Sequence, residues 1–359
     1  MSRPRIGVIG TGGIAHAHLA GYRKVLGDGI EIAAACDSRG EVVADFAEKW
    51  SIQHTFTDAR ELIRSGAVDV IVLLTPPAVR EEVILPAIEA GIPVLVEKPF
   101  ATDGPSAVRY TEASEEAGVP VAVSQNLRWF PEYQWASEWI ASGRIGRVDY
   151  LDARSFQDRP QPAGVWRATE MKLEMAIFSV HILDRLQWLA PGIPQTVSAV
   201  TRRARHSSIP GEQFSTVTVQ FDDGAVAQMT SSWRSKALPS NDLRIDGEAG
   251  SIAVHRREPV HGDAQGRAQG DGGEITLVEF PDSPVAAATS TFGHSLAEFL
   301  TSIAEGRPAS HSARNNLRTM GVMEAAYLSA ERGGTIVTAA EALGSDVLGP
   351  APRSTGDRR

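Results

Sequence analysis

The chain has 359 residues, 42% hydrophobic and 22% charged, which excludes wholesale disorder and is long enough for two cores. Its 44 acidic residues outnumber 35 basic ones, for a net charge of −9, which argues against general nucleic-acid or anionic-membrane binding. A single cysteine, Cys36, excludes an internal disulfide framework and a CxxC metal site, and no metal is expected. No apolar run is long enough to span a bilayer, and Met1–Arg5 leads into a strand without a signal-peptide pattern. The expectation is a cytoplasmic protein.

The first ~125 residues alternate short apolar runs with helical stretches. Predicted strands are Arg5–Ile9, Ile30–Cys36, Val68–Leu74, Val94–Val96 and Val119–Ser124. Predicted helices are Ile14–Leu26, Val42–Trp50, Ala59–Arg64, Val79–Ala90 and Pro105–Ala117, with Gly91 and Gly118 at C-cap positions. This order predicts an α/β fold, a doubly wound parallel Rossmann sheet over residues 1–125.

Residues 126–345 read as an α+β domain on a large, mostly antiparallel open sheet. A helix Trp135–Ser142 ends at Gly143. Strands are expected at Val148–Phe156, Val197–Arg205, Phe214–Phe221, Ala225–Trp233, Leu243–Ile245 and Ile275–Phe280, with Asp222-Asp223-Gly224 as a hairpin turn. One apolar helix is expected over Met171–Leu189, and two late helices over His294–Glu305 and Asn315–Glu331. Arg256–Gly273 reads as an exposed loop, and 346–359 as a disordered tail.

Gly10-Thr11-Gly12-Gly13-Ile14-Ala15 has the form GxGxxA, between a strand and a helix. Gly10 permits the tight turn, Gly12 lets a pyrophosphate approach the backbone, and the helix N-terminus presents N–H groups to it. An acid is expected about 20 residues on to hold a ribose hydroxyl, and Asp37 lies 22 residues after Ala15. The loop Gly10–Ile14 with Asp37 therefore predicts NAD, while Ser38-Arg39 beside it offers a cradle for a 2′-phosphate and keeps NADP open.

Glu97-Lys98-Pro99 ends the fourth strand, where open parallel sheets place their ligands. Only five of the 35 basic residues are lysines, which sets Lys98 apart from generic surface charge. Its ammonium can hydrogen-bond a substrate hydroxyl and exchange a proton with it, or pair structurally with Glu97. His181, Asp184 and Trp188 share one helical face, a spacing open to a substrate site or to simple core packing. Arg128, Trp166 and Arg167 are further candidates, since guanidinium groups donate to hydroxyls and tryptophan stacks on sugar faces.

These elements together resemble the Gfo/Idh/MocA family, the glucose–fructose oxidoreductase and inositol dehydrogenase family. The resemblance rests on the GxGxxA loop, Thr75-Pro76, Glu97-Lys98-Pro99, Asn126–Pro131, Ile140–Gly146, His181–Asp184, Gly247–Ser251 and Phe299–Pro308, and runs to about Thr338. It implies hydride transfer between NAD(P) and a secondary alcohol of a sugar, cyclitol or related polyol. It implies Thr75 and Pro76 along the dinucleotide, Glu97 near the nicotinamide ribose, Lys98 at the reacting hydroxyl and His181 facing substrate. A homodimer or homotetramer built through the C-terminal sheet is also implied. Enzymes that retain NAD for transient oxidation during elimination or epimerisation, and a non-catalytic NAD-binding sensor, remain alternatives. Two positions depart from the family pattern: Ile177 stands where an aspartate usually precedes the histidine by one turn, and Arg80 where a histidine is frequent.

Overall fold

The computed structural model describes residues 3–161, 164–257, 263–280 and 286–348. Residues 349–359 of the expected tail and the side chain of Trp166 lie outside the described residues. The chain divides into two units, Met1–Asn126 with Ala288–Asn316, and Leu127–Ala287 with Leu317–Arg359.

The first unit carries β1 (Arg5–Ile9), α1 (Gly13–Leu26), β2 (Glu31–Cys36), α2 (Gly40–Trp50), β3 (His54–Phe56), α3 (Ala59–Arg64), β4 (Val70–Leu73), α4 (Glu81–Glu89), β5 (Val94–Glu97), α5 (Gly104–Ala117) and β6 (Val121–Ser124). The six strands run in the order β3-β2-β1-β4-β5-β6, all parallel. Strand order reverses between β1 and β4, the topological switch point where such sheets take their ligands. β4, β5 and β6 are buried along their whole lengths, which is why they read as unbroken Val/Ile/Leu-rich runs.

The second unit carries α6 (Pro131–Ala141), β7 (Val148–Phe156), α7 (Val180–Leu189), β8 (Pro194–Arg202), β9 (Phe214–Phe221), β10 (Val226–Ser232), β11 (Ser240–Gly247), β12 (Gly250–Arg256), β13 (Ala264–Gln269) and β14 (Thr276–Phe280). After it come α8 (Ala286–Glu305), α9 (Ala313–Glu331), β15 (Val337–Thr338) and α10 (Ala339–Leu343). The nine-stranded sheet is ordered β14-β13-β12-β11-β7-β10-β9-β8-β15 and is antiparallel except between β7 and β10. The strands alternate buried and exposed residues, so one face packs against helices α6 and α7 and the other is open.

Three differences from the sequence reading have physical causes. Residues 288–316, grouped above with the C-terminal domain, belong to the first unit, because α8 crosses α1 at glycine contacts. A Cβ on Gly21 would lie 2.0 Å from the Thr289 carbonyl oxygen, and one on Gly293 2.3 Å from that of Gly21. The stretch expected as a loop contains β13, whose inward residues Ala264, Gly266 and Ala268 are too small to show an apolar alternation. Gly266 has no room for a side chain, since the Trp135 ring stands 2.7 Å from where its Cβ would be. The helix expected over Met171–Leu189 begins instead at Glu174 and opens with a π-helical turn, Met175–Ser179, before α7.

Candidate active site

The carboxyl ends of β1, β4 and β5 are adjacent in one sheet. They carry Gly10–Gly13, Thr75-Pro76 and Glu97-Lys98 respectively. Gly10 has φ +92°, and a Cβ there would lie 2.9 Å from both Leu74 C and Thr75 N, so only glycine fits the turn. Its N–H donates to the Cys36 carbonyl at 2.8 Å, while Leu74 N–H donates to Ile9 at 2.7 Å, which holds the loop between β2 and β4. Gly12 is the N-cap of α1, no side chain caps that helix, and a Cβ on Gly12 or Gly13 would meet nothing within 4 Å. Ile14, in the first turn, is exposed. The Thr75 hydroxyl is buried without a partner among the described residues. A glycine cradle open above the helix N-terminus, with an orphaned hydroxyl beside it, fits a pyrophosphate-bearing cofactor.

Asp37 closes the edge of this loop. Its Oδ2 accepts from Thr11 N at 3.0 Å and Thr11 Oγ1 at 3.2 Å, and its Oδ1 accepts from Arg39 N and Nε at 3.1 and 3.0 Å. Burial works to raise the Asp37 carboxyl, but the bonds from Arg39 and Thr11 outweigh it and hold it below its ordinary value. Ser38 and Arg39 are exposed. The two groups weighed for cofactor choice are therefore bonded to each other, Arg39 Nη2 reaching Oδ2 at 3.1 Å.

Glu97 is buried, and its Oε1 lies 2.9 Å from His18 Nε2. His18 Nδ1 lies 2.8 Å from Tyr22 Oη, which completes a buried chain down α1. Burial and the Glu97 charge push the Tyr22 phenol well above its ordinary value, so it stays protonated. Lys98 is half-buried and joined to Pro99 by a cis peptide bond. Arg80 is 2% exposed, and its guanidinium donates from Nε at 3.0 Å and Nη2 at 2.8 Å to the Thr75 carbonyl and from Nη1 to that of Pro99.

In the second unit His181 is buried in the first turn of α7. Ile177, at the expected aspartate position, is buried in the π-helical turn. Glu174 does not substitute for that aspartate: its Oε1 accepts from Ser179 Oγ at 2.5 Å and Ser231 Oγ at 2.6 Å. Burial pushes Glu174 up to about 7, against the lowering effect of those hydroxyls. Glu212 serves the start of the helix, accepting from Leu173 N at 2.8 Å, Met175 N at 2.9 Å and the Tyr327 hydroxyl at 2.7 Å. Burial raises Glu212 as well.

Arg128 and Asp184, expected at the substrate, close on each other, and Thr319 Oγ1 adds a bond to Asp184 Oδ1 at 3.0 Å. The Arg128 guanidinium also lies 5.7 Å from the Trp188 ring centre. Arg167 lies in the short helical turn Trp166–Thr169 and is half-buried, its Nε 3.3 Å from Gln161 Oε1. Sequence reasoning missed His18, Glu212 and the guanidinium bridge of Arg80. The GxGxxA motif drew attention to the loop and not to the histidine eight residues beyond its first glycine.

Comparison with known proteins decides the family. The profile of the GFO/IDH/MocA oxidoreductase family with an NAD-binding Rossmann fold matches residues 4–125, and that of the GFO/IDH/MocA C-terminal domain matches residues 133–253. The chain belongs to the Gfo/Idh/MocA family. It is an oxidoreductase with an NAD-binding Rossmann domain. D-apiose dehydrogenase of Paraburkholderia graminis is 26% identical over 342 residues, 92% of this chain and 88% of that one. Inositol 2-dehydrogenase 4 of Saccharopolyspora erythraea is 31% identical over 209 residues, 57% of this chain and 58% of that one. Among solved structures, an oxidoreductase from Agrobacterium radiobacter in complex with NAD+, L-tartaric acid and magnesium superposes with a TM-score of 0.86 at 23% identity, covering 95% of this chain and 99% of that one. Levoglucosan dehydrogenase with NADH and levoglucosan gives 0.83 at 19% identity, covering 94% and 100%. At these identities the structural likeness concerns the fold. Among the described residues no cluster of His, Cys, Asp and Glu could hold a metal ion, and no helix is long and apolar enough to cross a membrane.

Proposed function

We propose that this Gfo/Idh/MocA protein transfers hydride between NAD and a secondary alcohol or ketone of a sugar, cyclitol or related polyol. The observation that carries the reading is that the glycine cradle, Thr75 and Lys98 stand on three neighbouring strand ends of one sheet. The relatives' substrates, D-apiose, inositol and 1,5-anhydro-D-fructose among them, support the substrate class. The bound nicotinamide supplies the hydride acceptor. Gly10–Ile14 hold the pyrophosphate through backbone N–H groups, Asp37 takes the ribose hydroxyls, and Thr75 and Pro76 line the dinucleotide. Glu97, held in place by His18, would face the nicotinamide ribose.

In the oxidative direction Lys98 accepts the proton of the substrate hydroxyl as the carbon loses its hydride, and it returns that proton in reduction. His181 hydrogen-bonds the substrate rather than serving as the main base, because Ile177 offers no carboxylate to orient or charge the imidazole. Arg167 and Trp166 remain candidates for substrate hydroxyls. Arg128 and Asp184 act as a buried pair that positions the start of the second unit against α7. The open face of the nine-stranded sheet, with exposed Val200, Phe214 and Leu277, supports assembly as a homodimer or homotetramer, which light scattering measures.

The test is NADH formation with D-apiose, myo-inositol, levoglucosan and related polyols. Net NADH supports the dehydrogenase. Product without net NADH replaces it with an internal redox cycle, and ligand binding with neither replaces it with a sensor.

A further inference from the structure

We propose that Arg80 is a positioning residue that ties the cofactor-facing end of β4 to the lysine-bearing end of β5. The inference rests on the reading that Thr75 lines the dinucleotide and Lys98 handles the substrate proton. β4 and β5 pair from Ile71↔Val94 to Leu73↔Val96, and no ladder bond joins them beyond that. Thr75 and Pro99 therefore lie on separate turns. The Arg80 guanidinium takes up both: Nε and Nη2 donate to the Thr75 carbonyl, and Nη1 donates to the Pro99 carbonyl. Pro99 is bonded directly to Lys98, so the clamp holds the backbone of the turn that carries the ammonium.

The chemistry of the clamp is specific to arginine. A planar fork presents N–H groups in two directions at once, whereas an ammonium is a point charge that cannot span both carbonyls in this way. Arg80 bonds no carboxylate among the described residues, and its hydrogen bonds go to main-chain carbonyls. A buried guanidinium without a carboxylate partner is a costly filler, since an aliphatic side chain of similar size would pack there without the desolvation penalty. Burial lowers Arg80 to about 10, against the raising influence of Glu97, so it is still charged at neutral pH. What an aliphatic residue would forfeit is the tie between the two turns. Arg80 sits immediately before α4, and its backbone carbonyl accepts from Val83 and Ile84 N–H at 3.0 and 2.8 Å, so the clamp is anchored in a helix.

The experiment compares wild type, Arg80→Ala, Arg80→Lys and Lys98→Ala by NADH titration, steady-state kinetics and thermal melting. Arg80→Ala is expected to raise the NADH Kd severalfold and to lower kcat about 100-fold, the scale on which misplacing a reacting group by a fraction of a bond length acts. Added guanidinium, at concentrations that leave Tm unchanged, should recover much of both losses, and methylammonium should not. A merely structural arginine gives no such selective rescue. Wild-type Kd and kcat in Arg80→Ala overturn the clamp, as do losses that track the unfolded fraction and resist guanidinium. If Arg80→Ala does not fold, Arg80→Lys carries the test: it should fold and still lose kcat, and wild-type values in it overturn the proposal. Lys98→Ala separates this inference from the reading beneath it. Full activity in Lys98→Ala overturns the lysine's role and leaves the NADH arm to judge the clamp. An inactive Lys98→Ala beside an unaffected Arg80→Ala overturns the clamp alone.

Discussion

Arg128 and Asp184 meet as a two-pronged ion pair, Nε to Oδ2 at 2.5 Å and Nη2 to Oδ1 at 2.6 Å, with side chains 2% and 1% exposed. Removing one partner leaves the other charge buried. Asp184→Ala should therefore destabilise the protein by about 3–5 kcal/mol, and Thr319→Val by about 1 kcal/mol. Urea unfolding measures both. A raised substrate KM in Asp184→Ala with unchanged stability would instead make Asp184 a substrate ligand.

Gly12→Val should abolish most NADH affinity while the fold survives. The fold should survive because a Cβ there meets nothing within 4 Å, and affinity should fall because that space lies over the N-terminus of α1. Fluorescence titration with NADH, paired with a melting curve, checks it. Unchanged affinity would remove the loop from the cofactor site.

Cofactor choice turns on the Asp37–Arg39 pair. Wild type should prefer NAD, because the Asp37 carboxylate stays ionised at the end of β2 and repels a 2′-phosphate. Asp37→Ser should remove that repulsion and release Arg39 from its partner, which shifts the kcat/KM ratio towards NADP. A wild-type ratio favouring NADP would show that Arg39 dominates.

Lys98→Ala should lower kcat by about two or more orders of magnitude, as loss of a positioned acid–base group does. NADH affinity should change far less, since the glycine loop is on another strand end. His181→Ala should be milder, because the neighbouring position one turn back is Ile177. Near wild-type kcat in Lys98→Ala beside an inactive His181→Ala would reverse the two roles.

Glu174 makes stability depend on pH. Its folded value of about 7 lies above the ordinary 4.5, so its contribution is full below about 4.5, falls as pH rises towards 7, and levels off beyond. The range corresponds to roughly 3 kcal/mol at most. Glu174→Gln preserves an acceptor for Ser179 and Ser231 but cannot ionise. Relative to wild type, its urea midpoint should rise between pH 5 and 8. A constant difference across that range would mean that Glu174 does not titrate there.

The nucleotide-binding half was legible in the sequence because its determinants are local. The GxGxxA turn, Asp37 at the end of the next strand and the apolar runs of β4 to β6 each follow from residues near one another in the chain. Glu97-Lys98-Pro99 could be placed at a strand end for the same reason. What tertiary structure alone decided are partners distant in sequence. The bond between Asp184 and Arg128, 56 residues away, is one such pairing. That Glu174 turns towards the sheet follows only from the π-helical turn beside it and its bond from Ser231. β13 shows no apolar alternation because its inward residues are Ala264, Gly266 and Ala268, and the Trp135 ring leaves no room for a side chain at Gly266. Arg80 marks only a departure from a family pattern until the fold sets it between the carbonyls of Thr75 and Pro99. A side chain's chemistry is written in the sequence, but burial and pairing determine which of its donors and charges remain for a ligand.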